Sequence, residues 1–253
     1  MSFFTFENKN VFYEESGNGK PLLFLHGNTA SSKMYGEIIQ KYVPDFKVIL
    51  IDFLGHRRSD RLSEFPIDLW FYEAQQVIAF LRYKKYKKVN IIGSSGGAIV
   101  ALNVALEAPE LVGKVIADSF EGEKADPRFT QLLVIDRNKA INDDAASGFF
   151  EYMHGSDWRH IVENDTEAII RHEKEIGSFF HKNLSELKND VLLTGSKKDS
   201  FMYRISDNYY EVIYSKMLEL MPNAKIHLFN SGDHPAIITN SQLFYDISMD
   251  FFN

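Results

Sequence analysis

The stretch Val89 to Leu102 constrains this chain more than any other. An apolar, β-branched run, Val89-Asn90-Ile91-Ile92, meets Gly93-Ser94-Ser95-Gly96-Gly97 and then a second apolar run. The first run alternates as a buried strand does, and the residues after Gly97 are good helix formers. A strand therefore feeds a helix through a very tight turn. Gly93, Ser95 and Gly97 stand in the pattern Gly-x-Ser-x-Gly, in which a serine sits on a strained turn with its hydroxyl pushed out above a sheet. Small residues are needed on both sides because strand and helix approach so closely that a Cβ would meet the neighbouring backbone. Ser94 cannot take that position, since Ile92 stands two residues before it, so Ser95 is the candidate nucleophile.

Regular alternation surrounds this turn. Phe3 to Glu7 and Val11 to Glu15 read as a hairpin, and Pro21 to Leu25 and Phe46 to Asp52 read as strands covered on both faces. A helix is expected over Ser32 to Tyr42 and another over Ile67 to Tyr83. The helix after Gly97 runs to about Glu107, and Val112 to Ala117 is the next strand. The pattern predicts a mostly parallel central sheet with helices on both faces, an α/β class fold. Ligands in such sheets lie beyond the carboxyl ends of the strands, where His26, Asp52, Ser95 and Asp118 fall.

The alternation stops after Asp118. Residues 120–188 read as amphipathic helices over Phe129 to Asn138, Asp143 to His154, Ser156 to Glu163 and Thr166 to Asn183, an insertion long enough to form a helical cap. Its aromatics, Phe149, Phe150, Tyr152, Trp158, Phe179 and Phe180, are expected to pack the cap. Strands return at Asp190 to Gly195 and Ala224 to Phe229, with helices over Asp207 to Met221 and Pro235 to Phe252. The expected organisation is a core of residues 1–119, a cap of 120–188 and the rest of the core in 189–253.

Composition excludes several classes. The net charge is −7, and the longest basic block, Lys84-Lys85-Tyr86-Lys87-Lys88, reads as a solvated helix end, so a nucleic-acid partner is not expected. With no cysteine there is no disulfide framework, thiol nucleophile or zinc-cysteine site. No His-Glu-x-x-His spacing occurs, and His154 and His160 share no helical face, so no metal is expected. Nor is there a Gly-rich phosphate loop, so no nucleotide cofactor is expected. Residues 1–9 lack the layout of a signal peptide and no apolar run reaches membrane-spanning length, so a cytoplasmic location without membrane insertion is the expectation. Aromatics at 14%, with 21 Phe and 12 Tyr, suit an apolar cavity and a small-molecule substrate.

A serine hydroxyl is a poor nucleophile at neutral pH and needs an adjacent base, itself oriented by a third group. Asp199, in Gly195-Ser196-Lys197-Lys198-Asp199, and His234, in Ser231-Gly232-Asp233-His234-Pro235, each follow a predicted strand. Of the 8 histidines, only His234 follows the last strand in a Gly-containing loop. Asp118 is the rival acid, at the end of the strand before the insertion.

Leu25-His26-Gly27-Asn28, Asp52 to Ser59, Gly93 to Gly97, Gly195 to Asp199 and Gly232 to Pro235 together resemble the α/β-hydrolase superfamily over nearly the whole chain outside the insertion. The order Ser95, Asp199, His234 is the one that fold uses. The resemblance implies an oxyanion hole made by the backbone N–H groups of Asn28 and Gly96. Each amide would be worth about 3 to 4 kcal/mol at a developing alkoxide. It also implies structural roles for His26 and His56, hydrogen-bonding loops near the site. Two departures stand out: Leu54 and Arg57 replace an Arg and a Gly common in relatives, and three residues rather than two separate Gly195 from Asp199. The function so implied is a cofactor-independent serine hydrolase, carboxylesterase-like, cleaving a small, largely apolar ester through an acyl-enzyme. Carbon–carbon, lactone or thioester hydrolysis, acyl transfer, or sensing of a small molecule with slow turnover are the alternatives on the same scaffold.

Overall fold

The computed structural model describes residues 2–253. Eight strands form one sheet: β1 (Ser2–Phe6), β2 (Lys9–Ser16), β3 (Lys20–Leu25), β4 (Phe46–Asp52), β5 (Val89–Ser94), β6 (Val112–Asp118), β7 (Val191–Ser196) and β8 (Ala224–Phe229). Their order is β1-β2-β4-β3-β5-β6-β7-β8. The β1–β2 and β2–β4 pairs are antiparallel, and the other pairs are parallel.

The helices are α1 (Leu69–Tyr83), α2 (Gly96–Glu107), α3 (Pro127–Ile141), α4 (Asp144–His154), α5 (Trp158–Glu175), α6 (Ser200–Tyr203), α7 (Tyr209–Leu220), α8 (Ala236–Thr239) and α9 (Ser241–Phe252). Successive strand residues divide between two cores, as a period of two requires. Leu23, Ile49, Ile91, Val115 and Leu193 join the side chains of α1, α2 and α7. Leu22, Val48, Ile92, Ile116 and Leu192 join Tyr35, Tyr42, Ile237 and Phe244 on the opposite face.

Three local expectations are corrected. Residues 32–42 are two 3-10 turns, Ser32–Tyr35 and Ile38–Lys41, rather than one helix. The Asp52 carboxylate takes the Ser32 amide (2.9 Å) and the Tyr35 hydroxyl donates to the Leu25 carbonyl (2.8 Å), so tertiary bonds anchor the first turn, and Gly36, a poor helix former, separates it from the second. The segments predicted as 156–163 and 166–183 are joined in α5, and that helix stops at Glu175. Gly177, at φ +75°, turns the chain there and donates to the His172 carbonyl, as a glycine past a helix end does. The last segment breaks at Asn240, which accepts the Phe244 amide through its carbonyl and ties its side chain to Ser231 and Ser196.

The turn after β5 is as crowded as the sequence demands. A Cβ on Gly93 would collide with the Gly97 carbonyl, and one on Gly97 with the carbonyl of Leu25. Gly148, on the exposed side of α4, has no neighbour within 4 Å of such a Cβ. Gly93→Ala should therefore lose more than about 3 kcal/mol in urea unfolding, through forced backbone displacement. Gly148→Ala should gain about 0.5 to 1 kcal/mol by helix propensity alone. Equal effects at the two positions would contradict this account of the turn.

Candidate active site

Ser95 occupies the turn between β5 and α2 at φ +56°, ψ −125°, a region costly for any residue with a Cβ. The Ser95 amide donates to the Asp118 carbonyl (2.7 Å), which fixes the turn to the end of β6. Ser95 and His234 both line a cavity of about 420 Å³ at the carboxyl end of the sheet. Among the described residues no direct hydrogen bond joins them.

His234 Nδ1 lies 2.9 Å from Asp199 Oδ2. Asp199 is fully buried yet fully served: Tyr210 Oη donates to Oδ2 (2.8 Å), and the amides of Phe201 and Met202 donate to Oδ1 (3.1 Å each). Tyr210 can sit there because position 195 is glycine, whose Cβ would otherwise come within 2.9 Å of the tyrosine ring. Burial by itself would raise the Asp199 pKa. The hydrogen bond and charge of His234, with the two amides and Tyr210, outweigh it and hold the carboxyl below its usual 3.8. Burial likewise opposes protonation of His234, but its bond to Asp199 and the charges of Asp199, Asp118 and Asp233 leave its pKa above the usual 6.5.

Asp118 is placed differently. Its Oδ1 accepts from Thr194 Oγ1 (2.8 Å) and Ser119 Oγ (3.0 Å), and its Oδ2 from the Ile237 amide (3.1 Å) and Ser94 Oγ (3.3 Å). This carboxyl splices β5, β6, β7 and the start of α8, and burial pushes its pKa up to about 6. Asp233 turns to Ser200, accepting from its amide (2.8 Å) and hydroxyl (2.9 Å to Oδ2), and so ties the His234 loop to the Asp199 loop.

Asn28 and Gly96 flank Ser95 in the cavity wall. The Asn28 side chain is held at both ends: Oδ1 accepts from Trp70 Nε1 (3.1 Å) and Nδ2 donates to Asp165 Oδ2 (2.8 Å). His26 does tie loops together, its Nδ1 donating to the Gly27 carbonyl (2.9 Å) and its Nε2 accepting the Phe53 amide (3.2 Å). His56 departs from the expected role. Neither ring nitrogen has a hydrogen-bond partner among the described residues, and the ring instead stacks on Phe65 at 5.2 Å and 13°. Arg57 stands at φ +38°, so the glycine-type conformation is kept where the glycine is not.

The rest of the cavity was not legible as such. Its wall includes Trp70, Ile99 and Phe120 from the core and Phe129, Leu133 and Arg137 from α3. The last three are spaced i, i+4, i+8, so a single helical face lines the cavity, and an arginine in that otherwise apolar stripe was the available signal. Glu121 also lines it, and burial pushes its carboxyl well above the ordinary range. None of the six aromatics assigned to packing is in this wall. Phe150 stacks on Trp158 (5.7 Å), Phe179 packs on Trp70 (4.8 Å), and Phe149 and Tyr152 are exposed. Among the described residues no cluster of His, Cys, Asp or Glu could hold a metal ion, and no helix is long and apolar enough to cross a membrane.

Known proteins agree with this architecture. A Haemophilus influenzae protein provisionally named an esterase/lipase is 25% identical over 232 residues, covering 86% of this chain and 77% of its own. The 2-hydroxy-6-oxo-6-phenylhexa-2,4-dienoate hydrolase of Comamonas testosteroni is 22% identical, over 95% of this chain and 90% of its own. Among solved structures, a serine hydrolase involved in carbazole degradation superimposes with a TM-score of 0.76 at 20% identity, over 99% of this chain and 97% of that one. The sequence profile of the alpha/beta hydrolase fold matches residues 20–160. With more than half of its length matched and the sheet order and turn geometry in place, the chain belongs to the alpha/beta hydrolase fold family.

Proposed function

We propose that the protein is a cofactor-independent serine hydrolase that cleaves a small, largely apolar ester through an acyl-enzyme on Ser95. The observation that carries this reading is the 2.9 Å contact of His234 Nδ1 with Asp199, which leaves Nε2 of a ring in the cavity wall available for the Ser95 hydroxyl. His234 takes the Ser95 proton as the hydroxyl adds to the ester carbonyl, and returns it to the departing alcohol. Water then repeats the sequence on the acyl-enzyme, with His234 again as base. Asp199 keeps the imidazole oriented and stabilises its charged form. The amides of Asn28 and Gly96 receive the negative charge that develops on the carbonyl oxygen. Proton transfer requires the hydroxyl and imidazole to be in hydrogen-bond contact in the substrate complex. Helices α3 to α5 serve as a cap that excludes water from the site.

A second reading, hydrolysis of a carbon–carbon bond in an anionic diketone-type substrate, gains from the Comamonas testosteroni relative and from the Arg137 guanidinium in the wall. Asp165 lies 2.7 Å from that guanidinium and already balances its charge. With Arg137 paired and Asp233 also in the wall, no uncompensated positive charge faces the cavity, which fits an uncharged ester better than an anion. p-Nitrophenyl butanoate should therefore be cleaved faster than the p-nitrophenyl half-ester of glutaric acid, and the reverse order would favour the second reading.

The acid is tested by comparing Asp199→Asn with Asp118→Asn on the same aryl ester. Asp199→Asn should lower kcat by about 10³ to 10⁴. Asp118→Asn should mainly cost stability, about 1 to 3 kcal/mol, because an amide cannot accept from all four of its donors. Equal, mild losses of kcat would show that neither carboxylate supports the base.

The pH profile follows from His234. A base must be neutral to act, and its pKa is raised, so kcat/KM should climb with pH through a midpoint above 6.5. In Asp199→Asn the raising influence is gone and the midpoint should move down. A wild-type midpoint well below 6.5 would contradict the pairing.

A further inference from the structure

The segment that carries the Asn28 amide is bonded to the inserted helices at four successive places. Asn28 Nδ2 donates to Asp165 of α5, the Thr29 carbonyl accepts from His154 Nε2 of α4 (3.0 Å), Ser31 Oγ donates to the Met153 carbonyl (3.1 Å), and Lys33 Nζ donates to the Tyr152 carbonyl (2.7 Å). The first of these differs in kind. Asp165 is fully buried, and its other oxygen is 2.7 Å from Arg137 Nη1 of α3, a guanidinium that also donates to Thr166 (2.9 Å). Removing a carboxylate from water is costly, and here Oδ1 meets Arg137 as an ion pair while Oδ2 accepts the hydrogen bond of the Asn28 side chain.

The geometry it fixes lies beside Ser95. The Asn28 carboxamide oxygen rests against the Cα of Gly96, so closely that a Cβ there would collide with it and lie 2.8 Å from Trp70 Nε1. A rigid chain of contacts therefore runs Arg137, Asp165, Asn28, Gly96, from the insertion to the residue after the nucleophile.

We propose that Asp165 is a positioning residue. By gripping the Asn28 side chain it sets the separation and aim of the Asn28 and Gly96 backbone amides, so that the insertion determines whether the oxyanion site is assembled. The proposal rests on the reading of those two amides given above. Arg137 pairs with the carboxylate from the α3 side, and Trp70 closes the clamp from the core side.

The test is a cycle of Asp165→Asn and Asn28→Ala, assayed with p-nitrophenyl butanoate and by hydrogen exchange of the peptide spanning residues 26–35. Asp165→Asn should lower kcat by about 10- to 100-fold, less than the outright loss of an oxyanion donor because both amides remain and are only misaligned, with KM little changed. The 26–35 peptide should exchange faster while β5 and β6 stay protected. In the Asn28→Ala background, where the side chain to be gripped is gone, the same substitution should change kcat by less than about twofold, because residues acting as one unit are not additive.

A merely structural role would lower kcat by the same factor in both backgrounds, and that result overturns the proposal. So does unchanged exchange of the 26–35 peptide, or a change confined to KM. Because Asp165→Asn leaves Arg137 buried without its partner, the cycle is repeated with Arg137→Gln/Asp165→Asn, in which no lone charge remains, and the same expectations apply. Loss of protection at 26–35 without any ester turnover by the wild-type protein would support the clamp and sink the esterase reading. Wild-type turnover abolished in Ser95→Ala, with protection at 26–35 intact in Asp165→Asn, would do the opposite.

Discussion

Steric crowding at the end of β5 governs the structure. The turn between β5 and α2 folds so tightly on itself that only glycine fits at position 93, against the Gly97 carbonyl, and passes so close to the Leu25 carbonyl at the end of β3 that only glycine fits at 97; Ser95 is left in a backbone conformation costing about 1 to 3 kcal/mol. The sheet supplies that energy. β5 is paired on one side with β3 and on the other with β6, and the Ser95 amide is anchored on the Asp118 carbonyl, so the turn cannot relax without breaking the middle of the sheet. What the strain achieves is a hydroxyl lifted clear of the strand ends, at the place where four other loops converge.

Those loops are fastened to one another by carboxylates with distinct duties. Asp52 holds the start of the 3-10 segment and Arg58. Asp118 joins three strands from within, Asp233 draws the His234 loop toward Ser200, and Asp199 alone reaches the imidazole. The environments account for the division. Asp118 meets neutral hydroxyls and one amide in a fully buried pocket and titrates high, whereas Asp199 meets a chargeable ring and titrates low. The two rival acids of the sequence are thus separated by their partners rather than by their distance along the chain.

Legibility in the sequence tracked how local the cause was. The turn at Ser95 is readable because its residues are close in sequence and Gly93 is required by the Gly97 carbonyl four residues on, although Gly97 itself is required by the distant Leu25 carbonyl. The strands were readable because burial on two faces leaves continuous apolar runs such as Val48 to Ile51. Asp199 and His234 could be picked because a parallel sheet delivers all its following loops to one edge. Asp165 and Arg137 could not, since a charged pair on two amphipathic helices looks like solvated surface until the helices cross. The expected gap between residues 163 and 166 has the same origin, for Asp165 lies inside α5 and faces Arg137 of α3 rather than water. His56 misled in the other direction, for a histidine in a loop suggests a hydrogen bond, and here a stacked ring suffices.

The central claim is that the Ser95 oxygen carries the acyl group between the two halves of the reaction. It is tested most directly by mixing the protein with p-nitrophenyl acetate, quenching in acid within milliseconds, and sequencing the digested peptides by mass spectrometry. The account predicts one acetyl group on Ser95, present during turnover and absent from Ser95→Ala. Release of p-nitrophenol with no acetyl on Ser95, or with the acetyl on another side chain, would contradict it.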